Sequence, residues 1–150
     1  MSRATIHTKT FQELTTTDLY EIQKARFKVF VVEQRCFYLD LDDIDYESIH
    51  VFMTEGKKEV AAYGRLFRED QPGVWHIGRV LTVHRGAGLG RQLMASIIRT
   101  ASELGATTLR MEAQVHAIGF YEKLGFAVCS DEFEEAGIPH VRMERTLLST

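Results

Sequence analysis

Arg85-Gly86-Ala87-Gly88-Leu89-Gly90 is the segment that most restricts the folds open to this chain. It stands between an apolar strand signal, Val74 to Val83, and an amphipathic run in which Leu89, Leu93, Ile97 and Ala101 share one helical face until Leu104-Gly105 ends it. Strand and helix therefore meet at the glycines, where backbone N–H groups converge on a helix N-terminus carrying partial positive charge. Glycine at 86, 88 and 90 removes Cβ atoms that would keep a pyrophosphate from the backbone, and Arg85 and Arg91 add charge. A phosphate-bearing ligand suits such a turn; a tight connection with no ligand is the plainer alternative. There is no Gly-Lys-Ser/Thr, and the third glycine follows the second by two residues rather than three. Neither a Walker-type loop nor the dinucleotide fingerprint fits.

The flanking pattern is that of a mixed α/β layer, mainly antiparallel, with helices on its faces. Ala4 to Phe11 alternates weakly as an opening strand. A helix follows, with Thr16 and Thr17 as N-cap hydroxyls, Asp18 and Glu21 in the first turn, and Leu19, Ile22, Ala25 and Val29 at helical spacing up to about Val31. Glu33 to Ser48 is polar and acidic and reads as a loop or short irregular helix. His50–Thr54, Val60–Phe67 and Val74–Val83, separated by turn-like segments, read as an antiparallel meander. After the glycine turn and its helix come a strand at Thr108–Ala113, a short helix at Ala117–Leu124 stopped by Gly125, a strand at Phe126–Cys129 and a last strand at His140–Leu147.

The chain has 150 residues, 45% hydrophobic and 26% charged, the balance of one globular domain spanning 1–150. Net charge is −3 with both signs interspersed, so the broad positive field that nucleic-acid binding uses is missing. Apolar runs such as Val29 to Val32 are too short for a bilayer, and Met-Ser-Arg-Ala-Thr is not a secretory leader, so no membrane association and a cytoplasmic location are expected. Cys36 and Cys129 are isolated and read as reduced thiols, with no disulfide frame and no metal site.

The spelling that the turn does match is Arg-x-x-Gly-x-Gly, and here the sequence resembles the GNAT N-acetyltransferase superfamily, whose coenzyme A pyrophosphate loop is Gln/Arg-x-x-Gly-x-Gly/Ala at this junction. Downstream, Gln114-Val115-His116-Ala117-Ile118-Gly119-Phe120-Tyr121-Glu122-Lys123-Leu124-Gly125-Phe126 is similar to the family's Asn-x-x-Ala-x-x-Phe-Tyr-x-Lys-x-Gly-Phe, with Gln114 where Asn is usual. Phe30-Val31-Val32-Glu33-Gln34 and Ala136-Gly137-Ile138-Pro139-His140 resemble an ElaA/YjcF-like branch.

The resemblance implies acetyl-CoA as cofactor, a splayed strand pair that holds it, and transfer of acetyl to an amine, either a small molecule or a peptide, in a ternary complex. It implies that Val80, Leu81, Thr82 and Val83 offer backbone groups to pantetheine, with an N–H near Leu81 polarising the thioester carbonyl. Gly86, Gly88, Gly90 and Arg91 amides would bind pyrophosphate, and Arg85, Leu89, Gln114 and Ala117 complete the coenzyme contacts. Tyr121 would stand near the sulfur as general acid or hydrogen-bond donor to the leaving thiolate, or else serve only as core. Glu33, His116 and His140 are candidates for the base, each with a plainer reading as a surface or hydrogen-bonding residue. A homodimer is implied by family analogy alone.

Other residues leave alternatives open. His76 reads as a solvent-facing or hydrogen-bonded strand residue, and Arg65 and Arg79 as solvated side chains or holders of an acidic acceptor group. Asp40, Asp42, Asp43, Asp45 and Glu47 lack the glycine and terminal glutamate of an EF-hand; they read as a solvated loop or as a lure for a cationic amine. A coenzyme-binding sensor without turnover is the alternative of a different class. A purely structural protein would leave both motifs unexplained.

Overall fold

The computed structural model describes residues 4–37, 39–84 and 87–147. These form a mixed sheet of eight strands: β1 (Thr5–Thr10), β2 (Ile49–Glu55), β3 (Glu59–Arg68), β4 (Val74–Thr82), β5 (Thr108–Gln114), β6 (Ala127–Val128), β7 (Phe133–Glu135) and β8 (Ile138–Thr146). The spatial order is β1-β2-β3-β4-β5-β8-β6, with β7 beside β8. Among the described residues β4 and β5 are the parallel neighbours, and every other pairing is antiparallel. Between β4 and β5 runs α2 (Leu89–Glu103), the crossover that parallel strands require.

Hydrophobic alternation divides the core over the two faces of the sheet. On one face α2 buries Leu89, Leu93, Met94, Ile97 and Ala101 against Val51, Met53, Ala62, Leu66 and Ile77. Leu93, Met94 and Ile97 are fully buried, on the order of 1.5–3 kcal/mol of stabilisation each. On the other, α1 (Thr16–Arg26) and its continuation lay Ile22, Ala25 and Val29 over Phe52, Val60, Tyr63 and Leu81. Thr15, not Thr16 or Thr17, is the N-cap: its hydroxyl accepts from the Asp18 amide, and Asp18 returns a bond to the Thr15 amide. Past Arg26 the helix widens into π-type turns over Phe27–Glu33, so it reaches two residues beyond the expected end. A short helix, α3 (Ile118–Glu122), follows a tight turn at Val115–Ala117. The strand expected at Phe126–Cys129 is reduced to β6 because Phe126 turns into the core.

The acidic segment departs most from expectation. Three of its carboxylates are ion-paired, not solvated. Arg26 donates to Asp40 at 2.8 Å and Asp45 at 2.7 Å, while Arg65 donates to Asp42 at 2.6 Å and Asp45 at 3.0 Å. Arg79 completes the set, 2.8 Å from Asp40 and 3.3 Å from Asp42. Arg65 is thus buried in a structural network and does not line the cleft described below, which corrects its reading as an acceptor residue. His50 extends the network, its Nε2 donating to the Asp45 carbonyl at 2.9 Å while its Nδ1 accepts from the Tyr63 hydroxyl at 2.6 Å.

That network sits behind a bulge. Tyr63 faces Leu81 and Arg65 faces Gly78, so Gly64 alone opposes both Arg79 and Val80. Arg79 takes φ 54°, a left-handed backbone that costs a non-glycine residue on the order of 1 kcal/mol, and its side chain is anchored by Asp40 and Asp42.

Burial works against the charge of Asp45, yet Arg26 and Arg65 hold its carboxyl below the ordinary 3.8. Its contribution is therefore present above pH 3.8 and lost as pH falls through the lowered folded value. Asp45→Ala should cost about 3 kcal/mol, since it strips a partner from two buried guanidiniums. Urea denaturation should show that gap unchanged from pH 8 to pH 5 and closing below pH 4.

Candidate active site

β4 and β5 pair over three residues only, Val74, Trp75 and His76 against Thr108, Leu109 and Arg110, and then separate. Beyond that point opens a cleft of about 650 Å³, walled by β4, β5, the π-type end of α1, the first turn of α2, α3 and the β7–β8 hairpin. The phase of β4 decides which backbone groups face it. The Val83 amide donates to Ala61 of β3 at 2.8 Å, and the two-residue period gives Leu81, opposite Tyr63, the same orientation. Thr82, between them, turns its N–H and C=O toward the opening, and Val80, in the bulge beside Arg79, also borders it.

The glycine turn forms one end of the cleft, and Gly88, Leu89, Gly90 and Arg91 all line it. Gly88 stands at φ 73° as the N-cap of α2 and contributes no capping side chain, so among the described residues no N-cap side chain meets the first-turn amides. Arg85 and Gly86 lie outside the described residues. Val80, Leu81 and Thr82 reach the cleft, whereas Val83 packs beside the core under α1.

The second motif supplies the facing wall. Gln114 ends β5, and Ala117, Phe120 and Tyr121 follow from the turn and α3. Tyr121 is 7% exposed, and burial alone pushes its phenol up to about 12, so it stays protonated across the physiological range. Its ring packs edge-on against Phe120 and Phe126, so the core reading and the cleft reading hold together.

The far end is polar. Gln114 Nε2 donates to Gln34 Oε1 at 3.1 Å, and Gln114 Oε1 lies 2.6 Å from His116 Nε2. This amide relay ties the end of α1 to the end of β5. Glu33 and His140 also line the cleft, as do Glu112 and Glu135. His140 is 7% exposed, opposite Gln114 in the β5–β8 register. Of the residues expected to hold an acceptor group, Arg79 does reach the wall, already paired with Asp40.

Cys36, half-buried, borders the cleft as well, and burial pushes its thiol up. The sequence reading missed Glu112, Gln34 and Glu135. Glu112 could have been found from period two on β5, which puts it on the same face as Gln114.

His76 staples the two strands where they part. Its Nδ1 lies 2.9 Å from Glu69 and its Nε2 3.0 Å from Glu112. Carboxylates only accept, so both contacts are satisfied by the doubly protonated ring. Burial opposes that charge, but Glu112 and Glu69 hold the imidazole above 6.5, and His76 in turn keeps Glu112 ionised despite its own burial.

A family model described as acetyltransferase (GNAT) domain matches residues 13–147. The chain belongs to the GNAT acetyltransferases and is an acyltransferase of the acyl-CoA-using kind. Protein ElaA of Escherichia coli is 35% identical over 144 residues, covering 91% of this chain and 92% of ElaA. The uncharacterized N-acetyltransferase YjcF of Bacillus subtilis is 38% identical over 121 residues, 79% of this chain and 86% of the other. An acyl-CoA N-acyltransferase from Pseudomonas aeruginosa superposes with a TM-score of 0.89 at 33% identity, over 96% of this chain and 100% of its own. The crystal structure of E. coli ElaA superposes with 0.88 at 32% identity, over 95% and 99%.

A raised imidazole stabilises the fold fully below its unfolded value and loses that contribution as pH rises through the folded one. Wild type should therefore exceed His76→Gln in denaturation free energy at pH 6, and the gap should narrow by pH 9. A gap that ignores pH would contradict the doubly bonded ring.

Proposed function

We propose that this chain is an acetyl-CoA-dependent N-acetyltransferase that moves acetyl to a primary amine by direct transfer in a ternary complex. The observation that carries this reading is the parting of β4 from β5, with the glycine turn at one end of the opening and Tyr121 in its wall. In this reading pantetheine lies along the free edge of β4 and takes the place of the missing strand partner, bonding to Val80 and Thr82. The amides at Gly88, Leu89 and Gly90, with Arg91, hold the pyrophosphate. The amine enters from the end bounded by Glu33, Gln114, His116 and His140.

Attack on the thioester carbonyl forms the C–N bond and drives charge onto the carbonyl oxygen, where the Val80 or Thr82 N–H donates to it. Collapse breaks the C–S bond. The Tyr121 phenol, at about 12, is a weaker acid than a thiol of ordinary value near 8.5. It therefore stabilises the departing thiolate by donating a hydrogen bond, and the proton that finally rests on sulfur comes from the amine nitrogen. Direct transfer is favoured over an acyl-cysteine route because burial holds Cys36 as the thiol, and Cys129 is exposed and borders no part of the cleft.

Free-thiol release from acetyl-, propionyl- and butyryl-CoA across a panel of amines tests the reading. Release dependent on one amine class, fastest with acetyl-CoA and retained after alanine replacement of both cysteines, is the expected result. Calorimetric binding of the coenzyme without release by any amine would favour a sensor instead. Tyr121→Phe should lower kcat about 10- to 100-fold, the worth of a hydrogen bond to a developing charge, with KM for acetyl-CoA nearly unchanged. Transfer at the wild-type rate would remove Tyr121 from the chemistry.

A further inference from the structure

Glu33, His116 and His140 border the amine end of the cleft together with Glu112, which is bonded to His76, and Glu135, and they differ in what their hydrogen bonds leave available. Glu33 is exposed, and water competes for its carboxylate. His116 is at the rim, with Nε2 committed to Gln114 Oε1 at 2.6 Å; because Gln114 Nε2 already donates to Gln34, that amide oxygen is the accepting end and the His116 proton lies on Nε2. His140 is the buried one, and its Nδ1 lies 2.7 Å from the Ile138 carbonyl oxygen. A carbonyl can only accept, so Nδ1 carries the proton and the neutral ring has its lone pair on Nε2.

We infer that His140 is the proton acceptor for the incoming amine, through Nε2, and that the Ile138 carbonyl, which fixes the proton on Nδ1, positions it. This rests on the acetyl-transfer reading above. Its neighbours come from three strands. From β7, Glu135 Oε2 stands 3.7 Å from Nε2, and Phe133 packs its ring at 6.1 Å and 25°. From β5, Gln114 lies directly across and Glu112 one position along the same face, already bonded to His76. On its own strand, Arg142 is the cationic neighbour, two residues on and opposite Glu112. His116 and Gln34 are both hydrogen-bonded to Gln114.

The acceptor arrives as an ammonium; Nε2 takes one proton, giving an imidazolium beside Glu135 and a neutral amine whose lone pair attacks the thioester carbon. As the C–S bond breaks, its electron pair stays on sulfur, and the second nitrogen proton goes to the thiolate. The imidazolium returns its proton to solvent.

Two measurements test the assignment. In ¹⁵N-resolved imidazole spectra of the wild-type protein, assigned by comparison with His140→Gln, the neutral His140 ring should be the Nδ1–H tautomer with bare Nε2; the opposite tautomer overturns the inference. In steady-state kinetics with the best amine of the panel, His140→Gln should lower kcat about 100-fold at pH 7 and abolish the acidic limb of the pH profile, while calorimetric affinity for acetyl-CoA is kept. Glu33→Gln and His116→Gln should retain that limb. An unchanged limb in His140→Gln overturns the base assignment and leaves the acetyltransferase standing. If wild-type protein that binds coenzyme A turns over no amine, the acetyl-transfer reading fails and the base with it.

Discussion

Two parallel strands that hold together for three residues and then part impose most of what this structure is. Backbone N–H and C=O groups inside a fold need partners, and along Val80 to Thr82 the sheet supplies them on one side only. A gap of this kind closes unless something keeps it open. Here the bulge at Arg79 bends β4 away, and Arg79 is fixed by Asp40 and Asp42, which are themselves held by Arg26 and Arg65. On the opposite side His76 fixes the last point at which the strands still touch. The cleft is therefore bounded by electrostatic anchors behind it and at its apex, while hydrophobic packing by α1 and α2 supports the strands from both faces.

What the sequence made legible was local. The start of α2 at Gly88, its buried face at Leu89, Leu93, Ile97 and Ala101, and the short helix that carries Phe120 and Tyr121 are each written within a few turns of chain, and each stands where the local pattern put it. Features made by distant residues were not legible. Asp42 and Arg65 are 23 positions apart, and nothing in either neighbourhood announces that a polar loop will fold back over the sheet to meet a buried guanidinium. The bulge escaped notice because its added residue is an arginine rather than a glycine, so no turn residue marks it. β7 was missed because Phe133-Glu134-Glu135 has little strand character of its own; it is strand because β8 lies beside it. The Gln34–Gln114 bond spans 80 positions and belongs to the same class.

The cleft also has a gradient of environment along its length. At the α2 end, backbone amides and Arg91 favour anions. In the middle, Tyr121 sits among aromatic rings in a place dry enough to push its phenol up to about 12. At the β7–β8 end, carboxylates, imidazoles and amides face each other across a few ångströms. Such an order suits a bulky anionic carrier entering from one side, a thioester in the dry section and a polar partner from the other side.

The guanidinium–carboxylate network has a consequence for how such a chain can change over generations. Arg26, Arg65 and Arg79 face Asp40, Asp42 and Asp45, three positive charges against three negative, and each carboxylate touches two arginines. Any single replacement leaves an imbalance in a poorly hydrated place, so drift at these six positions is expected to be concerted: whole sets exchanged for other sets, with intermediates penalised. The same residues tie one helix, one long loop and two strands together, which makes the network a unit of inheritance as well as of structure.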